Sequence, residues 1–143
     1  AARQSTGAVL VPADGSGVRA QLKQLKKGGV VGILPDQVPQ HDNAGVYAPF
    51  MGQTAFTMTL VNNLAKRSGA TVLMTFAERL APGKGYRLRV LPAPVGMADA
   101  DPVIAATALN QGIADCVALA PAQYQWTYKR FKHQPNGAPE PYG

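Results

Sequence analysis

The densest grouping of chemically useful side chains follows an uninterrupted apolar run. Val30, Val31, Gly32, Ile33 and Leu34 lead directly into Pro35, Asp36 and Gln37. In open α/β sheets, ligands bind outside the carboxyl ends of strands. A carboxylate beside an amide, held there by a proline, is suited to orienting a polar group. Asp36 is equally suited to capping a turn after the run, and both readings stand. His41 and His133 lie far apart in polar, proline-flanked loops and read as exposed loop histidines. A metal centre needs more ligands than those loops offer. Cys116 is the single cysteine, which excludes an internal disulfide, and its apolar helical context reads as a small buried hydrophobe. Walker, dinucleotide-binding and nucleophile-elbow motifs are absent from the sequence.

A second stretch, Val46, Tyr47, Ala48, Pro49, Phe50, Met51 and Gly52, is too apolar for a simple solvated loop. It can line a hydrophobic groove or pack as a loop against the core.

Four apolar segments have the pattern of strands that would position these residues: residues 7–11, 30–34, 71–76 and 86–91. The second and third are apolar throughout, as in strands covered on both faces. The fourth alternates, with Tyr86, Leu88 and Val90 on one side and Arg87 and Arg89 on the other, which suits a strand with one wetter face. Helices are expected over residues 17–27, 55–68 and 101–120. Gly28 and Gly29 stop the first, Gly69 ends the second, and Asp101 with Pro102 starts the third. The order predicts an α/β fold, a layered sheet of mostly parallel strands with crossover helices. Residues 1–132 read as one unit, and residues 133–143, with three prolines and two glycines, as an extended tail.

The chain has 143 residues, enough for one buried core. No stretch approaches the ~18 uninterrupted apolar residues of a membrane span. The first residues lack an initiator Met and an apolar leader, which fits a processed fragment or a piece of a longer protein. Fourteen Lys and Arg against eight Asp and Glu give a net charge of +6, which favours anionic partners. Arg19, Lys23, Lys26 and Lys27 share one helical segment, and Lys129, Arg130 and Lys132 cluster near the C-terminus. Both clusters also read as solvated charge.

Five segments in order carry a resemblance. They are Gly17-Val18-Arg19 with its helix; Gly29 through Gln37; Ala48-Pro49-Phe50-Met51-Gly52; Arg67 through Val72 with Phe76-Ala77-Glu78-Arg79; and Tyr124 through Lys132. The chain resembles the C-terminal half of the bacterial lipid A lauroyl/myristoyl acyltransferases, within the wider glycerolipid acyltransferase superfamily. The resemblance implies acyl transfer from an acyl carrier protein thioester, with no other cofactor, to a hydroxyl of an anionic lipid A precursor. It also implies a parent enzyme at the cytoplasmic face of the inner membrane, contributing to lipopolysaccharide synthesis. The family's chemistry uses a His-x4-Asp/Glu motif, in which histidine takes the hydroxyl proton and the acid holds its tautomer. That motif is missing here: Val46 stands at the acid's spacing from His41, and Ala138 at that from His133. The resemblance therefore implies a supporting acid at Asp36 and substrate contacts at Gln37, Phe50, Gly52, Arg79 and Arg3. For Arg79 the contact would be a phosphate or carboxylate, which a guanidinium fork grips well. The competing reading is a non-catalytic basic lipid- or nucleic-acid-binding α/β module. Nucleic acid is not the expected partner, because the apolar strands leave no open sheet of interleaved aromatic and basic residues.

Overall fold

The computed structural model describes residues 7–142. Helix α1 (Gly15–Lys26) begins where the Asp14 carboxylate accepts hydrogen bonds from the amides of Ser16 and Gly17, at 2.8 and 3.1 Å. These bonds and the Ser16 hydroxyl hold the Asp14 carboxyl below its ordinary pKa, the hydroxyl foremost. Gly17 is required by packing: a Cβ there would lie 1.9 Å from the Pro12 carbonyl oxygen. Strands β1 (Gly45–Phe50) and β2 (Gln53–Met58) form an antiparallel hairpin with Phe50 opposite Gln53. Its two-residue turn, Met51 and Gly52, has φ of 49° and 79°, the left-handed pair that matches the twist of such hairpins. Helix α2 (Leu60–Ser68) follows and closes at Gly69, with φ of 70°. Strands β3 (Leu73–Arg79) and β4 (Tyr86–Pro92) make a second antiparallel hairpin. Helix α3 (Pro102–Leu119) starts from an Asp101 cap that accepts from the Val103 amide at 2.8 Å.

Both hairpins pack on α3. Its buried side presents Ala105, Ala106, Leu109, Gly112, Ile113 and Val117, and the core also contains Phe50, Ala55, Val61, Met74 and Met97. At Gly112 a Cβ would sit 3.0 Å from Met74 and 3.1 Å from Pro94, so a glycine lets β3 approach the helix. With 18 residues and mean hydropathy 1.3, α3 is long and apolar enough to cross a membrane by those measures. Here its apolar face is spent on the two hairpins.

The layered parallel sheet expected from the sequence is not what forms. The described residues contain two separate two-stranded antiparallel sheets. Residues 7–11 and 30–34 form no strand, and Val9 and Val30 are 85% and 89% exposed. The chain between residue 34 and β3 is not one crossover helix. It is consumed by the β1–β2 hairpin and the short α2, and hairpin pairing closes locally at far less entropic cost than a long crossover. The second helix accordingly starts at Leu60 rather than residue 55, because residues 53–58 pair with β1. The stretch from Val46 to Gly52 is β1 and its turn, with Ala48 and Phe50 buried.

The β3–β4 hairpin also turns its apolar side outward. Tyr86, Leu88 and Val90 are 70%, 69% and 54% exposed. The arginine side is held instead by Glu78 across the pair, whose Oε2 accepts from Arg89 Nε at 2.7 Å and lies 3.8 Å from Arg87. The hydrogen bond from Arg89 holds the Glu78 carboxyl below its ordinary pKa, with the Arg89 and Arg87 charges acting in the same direction.

Residues 133–142 lie against the first hairpin in part. The Tyr47 hydroxyl donates to the Gln134 carbonyl at 3.0 Å, and the His133 and Phe56 rings are 6.0 Å apart.

This core assignment separates two aliphatic side chains that the sequence pattern treats alike. Leu109 is 2% exposed and Val30 is 89% exposed. Leu109→Ala is expected to lower the unfolding free energy by about 2–5 kcal/mol, and Val30→Ala to change it by less than about 0.5 kcal/mol. Urea titration followed by circular dichroism reads both, and equal losses would contradict the placement of residues 30–34.

Candidate functional site

A cleft of about 1370 Å³ opens between residues 7–11, α1, residues 30–36, β3 and the C-terminal half of α3. Its walls are mostly apolar, with Val9, Leu10, Ile33, Leu34, Met74, Ile113 and Val117 among them. Asp36, Arg79, Gln123 and Tyr124 supply polar groups. Asp36 and Arg79, singled out separately in the sequence, thus line one cleft. They arrive there without the parallel strands expected to bring them.

Each of these side chains is positioned by a local reason. Asp36 sits half-buried in the turn after residue 34, and its carboxylate accepts no hydrogen bond among the described residues, so it does not cap that turn. Two residues on, the buried Val38 amide donates to the Tyr128 hydroxyl at 2.8 Å, which ties the Asp36 loop to the C-terminal segment. Arg79 ends β3. Its amide donates to Gln123 Oε1 at 2.8 Å, and Gln123 Nε2 donates back to its carbonyl at 3.0 Å. The Gln123 side chain thereby acts as an extra strand residue, fixing the end of β3 to the turn after α3. The Arg79 side chain is left exposed, with no carboxylate within ion-pair distance among the described residues. The Tyr124 hydroxyl is pushed up in pKa by burial, and the Asp36 charge adds to that shift. It therefore stays protonated and able to donate at neutral pH.

The other residues named from the sequence lie elsewhere. Gln37 is exposed beside Asp36 and is not part of the cleft wall. Phe50 is 3% exposed, deep in the core under Phe131 and Arg130. Gly52 occupies the hairpin turn. Arg3 lies outside the described residues. Cys116 lines the cleft, half-buried, and burial raises its thiol pKa, with Asp115 adding to it. His41 is exposed ahead of a short 3-10 turn at Asp42–Ala44. Among the described residues no group of three His, Cys, Asp or Glu could hold a metal ion.

Sequence reasoning also missed a buried polar network that lies outside the cleft wall. Arg130, grouped in that reasoning with surface charge, is 3% exposed. Its Nη1 donates to the Phe56 carbonyl at 2.7 Å, and its Nη2 to Thr57 Oγ1 at 2.9 Å and Asn110 Oδ1 at 3.3 Å. The guanidinium carbon lies 5.3 Å from the Phe50 ring centroid. Asn110 Nδ2 completes the network with the Pro49 carbonyl at 2.9 Å. Burial lowers the Arg130 pKa, although an arginine remains charged after any ordinary shift. The available signal was its setting among Tyr124, Trp126, Tyr128 and Phe131, although the same stretch leaves Lys129 and Lys132 exposed.

Comparison with known proteins identifies the family. The profile of the family described as bacterial lipid A biosynthesis acyltransferase matches residues 1–133. The lipid A biosynthesis lauroyltransferase of Escherichia coli K12 is 35% identical over 133 residues, covering 90% of this chain and 42% of that protein. The palmitoleoyltransferase of the same strain is 34% identical over 121 residues, 84% of this chain and 39% of the relative. A lipid A biosynthesis acyltransferase of Haemophilus influenzae is 30% identical over 122 residues, 85% of this chain and 37% of the relative. The chain belongs to the bacterial lipid A biosynthesis acyltransferase family. It spans about two fifths of the length of these curated relatives.

The bond from Val38 to Tyr128 is the direct hold on the Asp36 loop. Tyr128→Phe leaves a buried amide without its acceptor and is expected to cost about 1–3 kcal/mol. It should also speed exchange of the Val38 amide. Hydrogen exchange followed by NMR reads the effect residue by residue, and unchanged protection at Val38 would remove the tie.

Proposed function

We propose that this chain is the acceptor-binding part of an acyltransferase that moves a fatty acyl group from acyl carrier protein to a hydroxyl of an anionic lipid A precursor. Membership of the family supports acyl transfer in lipid A biosynthesis. The observation that carries the division of labour is the single cleft lined by both Asp36 and Arg79, the latter without an ion-pair partner among the described residues. Arg79 binds a phosphate of the acceptor through charge-assisted, fork-shaped hydrogen bonds. Asp36, free of any cap bond, orients either the acceptor hydroxyl or a histidine that takes its proton. Neither His41 nor His133 has an acid at the family's spacing, and neither lines the cleft. The general base therefore comes from polypeptide beyond this chain. The family resemblance implies that the working enzyme meets its substrate at the cytoplasmic face of the inner membrane. The basic balance of this chain, +6, suits that anionic surface.

The 143-residue chain alone is expected to transfer no acyl group. Loss of a general base by itself costs about 10²–10⁴ in rate. Turnover by this chain with acyl carrier protein thioester and lipid acceptor would overturn the assignment.

Within the full-length product of the gene, the two cleft residues should separate kinetically. Arg79→Gln removes a charged hydrogen bond of about 1.5–3 kcal/mol, so kcat/KM for the acceptor should fall by roughly 10–10². Most of that loss should appear in KM. Asp36→Asn keeps the shape and removes the charge, and should lower kcat by at least roughly tenfold with KM little changed. Wild-type kinetics in both variants would leave Arg79 a surface charge and Asp36 a turn residue.

A further inference from the structure

Several exposed apolar side chains gather around one region. Val9, Leu10, Val30 and Leu34 stand along the two segments that wall the cleft. Burial alternates along residues 30–34, with Val31 and Ile33 half-buried between exposed neighbours, as along a strand with one face on the core. Yet no backbone hydrogen bond reaches residues 7–11 or 30–34 among the described residues. Strand β3 pairs on one side with β4, and its other edge is clasped by Gln123 at Arg79 but open ahead of it, where residues 74–77 front the cleft. On the adjoining hairpin face Leu73, Tyr86, Leu88 and Val90 are all more than half exposed. In register with them, Thr75 opposes Val90 and Ala77 opposes Leu88. This apolar sheet face is left uncovered among the described residues.

We propose that the cleft and the bare face of the β3–β4 hairpin form a docking interface for further polypeptide of the same protein. An extended segment lies in the cleft along the open edge of β3, and apolar side chains cover Tyr86, Leu88 and Val90. Two observations select this occupant. The relatives are more than twice as long as the part of them this chain matches, since it covers 42%, 39% and 37% of three of them. The cleft, moreover, demands hydrogen bonding as well as apolar cover. Open backbone groups line β3 and the two facing segments, and lipid tails have no donors or acceptors to offer them. An added strand satisfies such groups and fills alternate side-chain pockets at once. A second copy of this chain fits poorly, because its own β3 edge faces a cleft walled by residues 7–11 and 30–34. The docked segment would bring its side chains beside Asp36 and Arg79, but the interface does not depend on those two acting in acyl transfer.

Amide exchange tests the interface without any activity assay. The comparison is between the 143-residue chain and the full-length product of its gene. In the chain alone, amides of residues 30–34 and the outward amides of β3 should exchange freely. In the full-length protein they should slow by at least about 10²-fold, as amides do on joining a cooperative unit. Leu88→Glu provides an independent reading. It should leave the Tm of the 143-residue chain unchanged, because Leu88 is 69% exposed there, and lower that of the full-length protein by several degrees. Four results would each overturn the proposal. They are a gene product no longer than this chain, equal protection in both proteins, protection gained on adding phosphatidylglycerol vesicles to the chain alone, and protection that rises with its concentration. The third would give the surface to lipid, and the fourth to a second copy. Loss of acyl transfer in an Arg79 or Asp36 variant with protection intact would bear on the functional reading alone.

Discussion

A buried guanidinium with no carboxylate at ion-pair distance among the described residues sets the arrangement around it, the Asp36 charge acting on it only from farther off. Removing a charge from water is costly unless hydrogen bonds replace its hydration. Arg130 meets that demand with neutral acceptors from three places: the Phe56 carbonyl and Thr57 hydroxyl of β2, and the Asn110 side chain of α3. The Phe50 ring of β1 lies against it. Of its nitrogens, Nε is buried with no partner. One side chain thus requires the first hairpin, the long helix and the C-terminal segment to be in register together. Asn110 shares the burden, since the same amide that faces Arg130 also holds the Pro49 carbonyl. Hydrogen bonds with these directions specify one packing where apolar contacts would accept several.

That register reaches the cleft through the C-terminal segment. With Arg130 anchored, Tyr128 is placed to receive the Val38 amide, and Tyr124 forms part of the cleft wall beside Asp36. Gln123 meanwhile clasps the backbone of Arg79 from the turn after α3. The two candidate residues therefore sit on a loop and at a strand end, each held by the same terminal stretch. The molecule has one closed side, where both hairpins pack on α3, and one open side, where the cleft and the bare sheet face lie. The closed side makes a stable support, and the open side carries Asp36 and Arg79. A chain that spans about two fifths of its relatives' length is consistent with such an unequal division.

Features decided by neighbours in sequence were legible without a structure. Asp101 and Pro102 announced the start of α3, Gly69 closed α2, and Pro121 follows the end of α3, because caps and left-handed residues act within a turn of the backbone. The family was legible too, since five segments in order outweigh any one of them. The β1–β2 hairpin was not, because Met51-Gly52 is not among the strongest turn signals and Phe56 reads as easily on a helix as on a strand. Tertiary structure alone decided where apolar runs went. The pattern of residues 30–34 states that those side chains favour burial, but a strand exists only where another backbone pairs with it, and none does among the described residues. The same holds for charge. Composition counted Arg130 with its exposed neighbours Lys129 and Lys132, whereas the fold surrounds it with Phe56, Thr57 and Asn110. Hydrogen bonds spanning twenty to seventy-four residues of chain leave no periodicity in sequence, and so only the folded molecule reveals them.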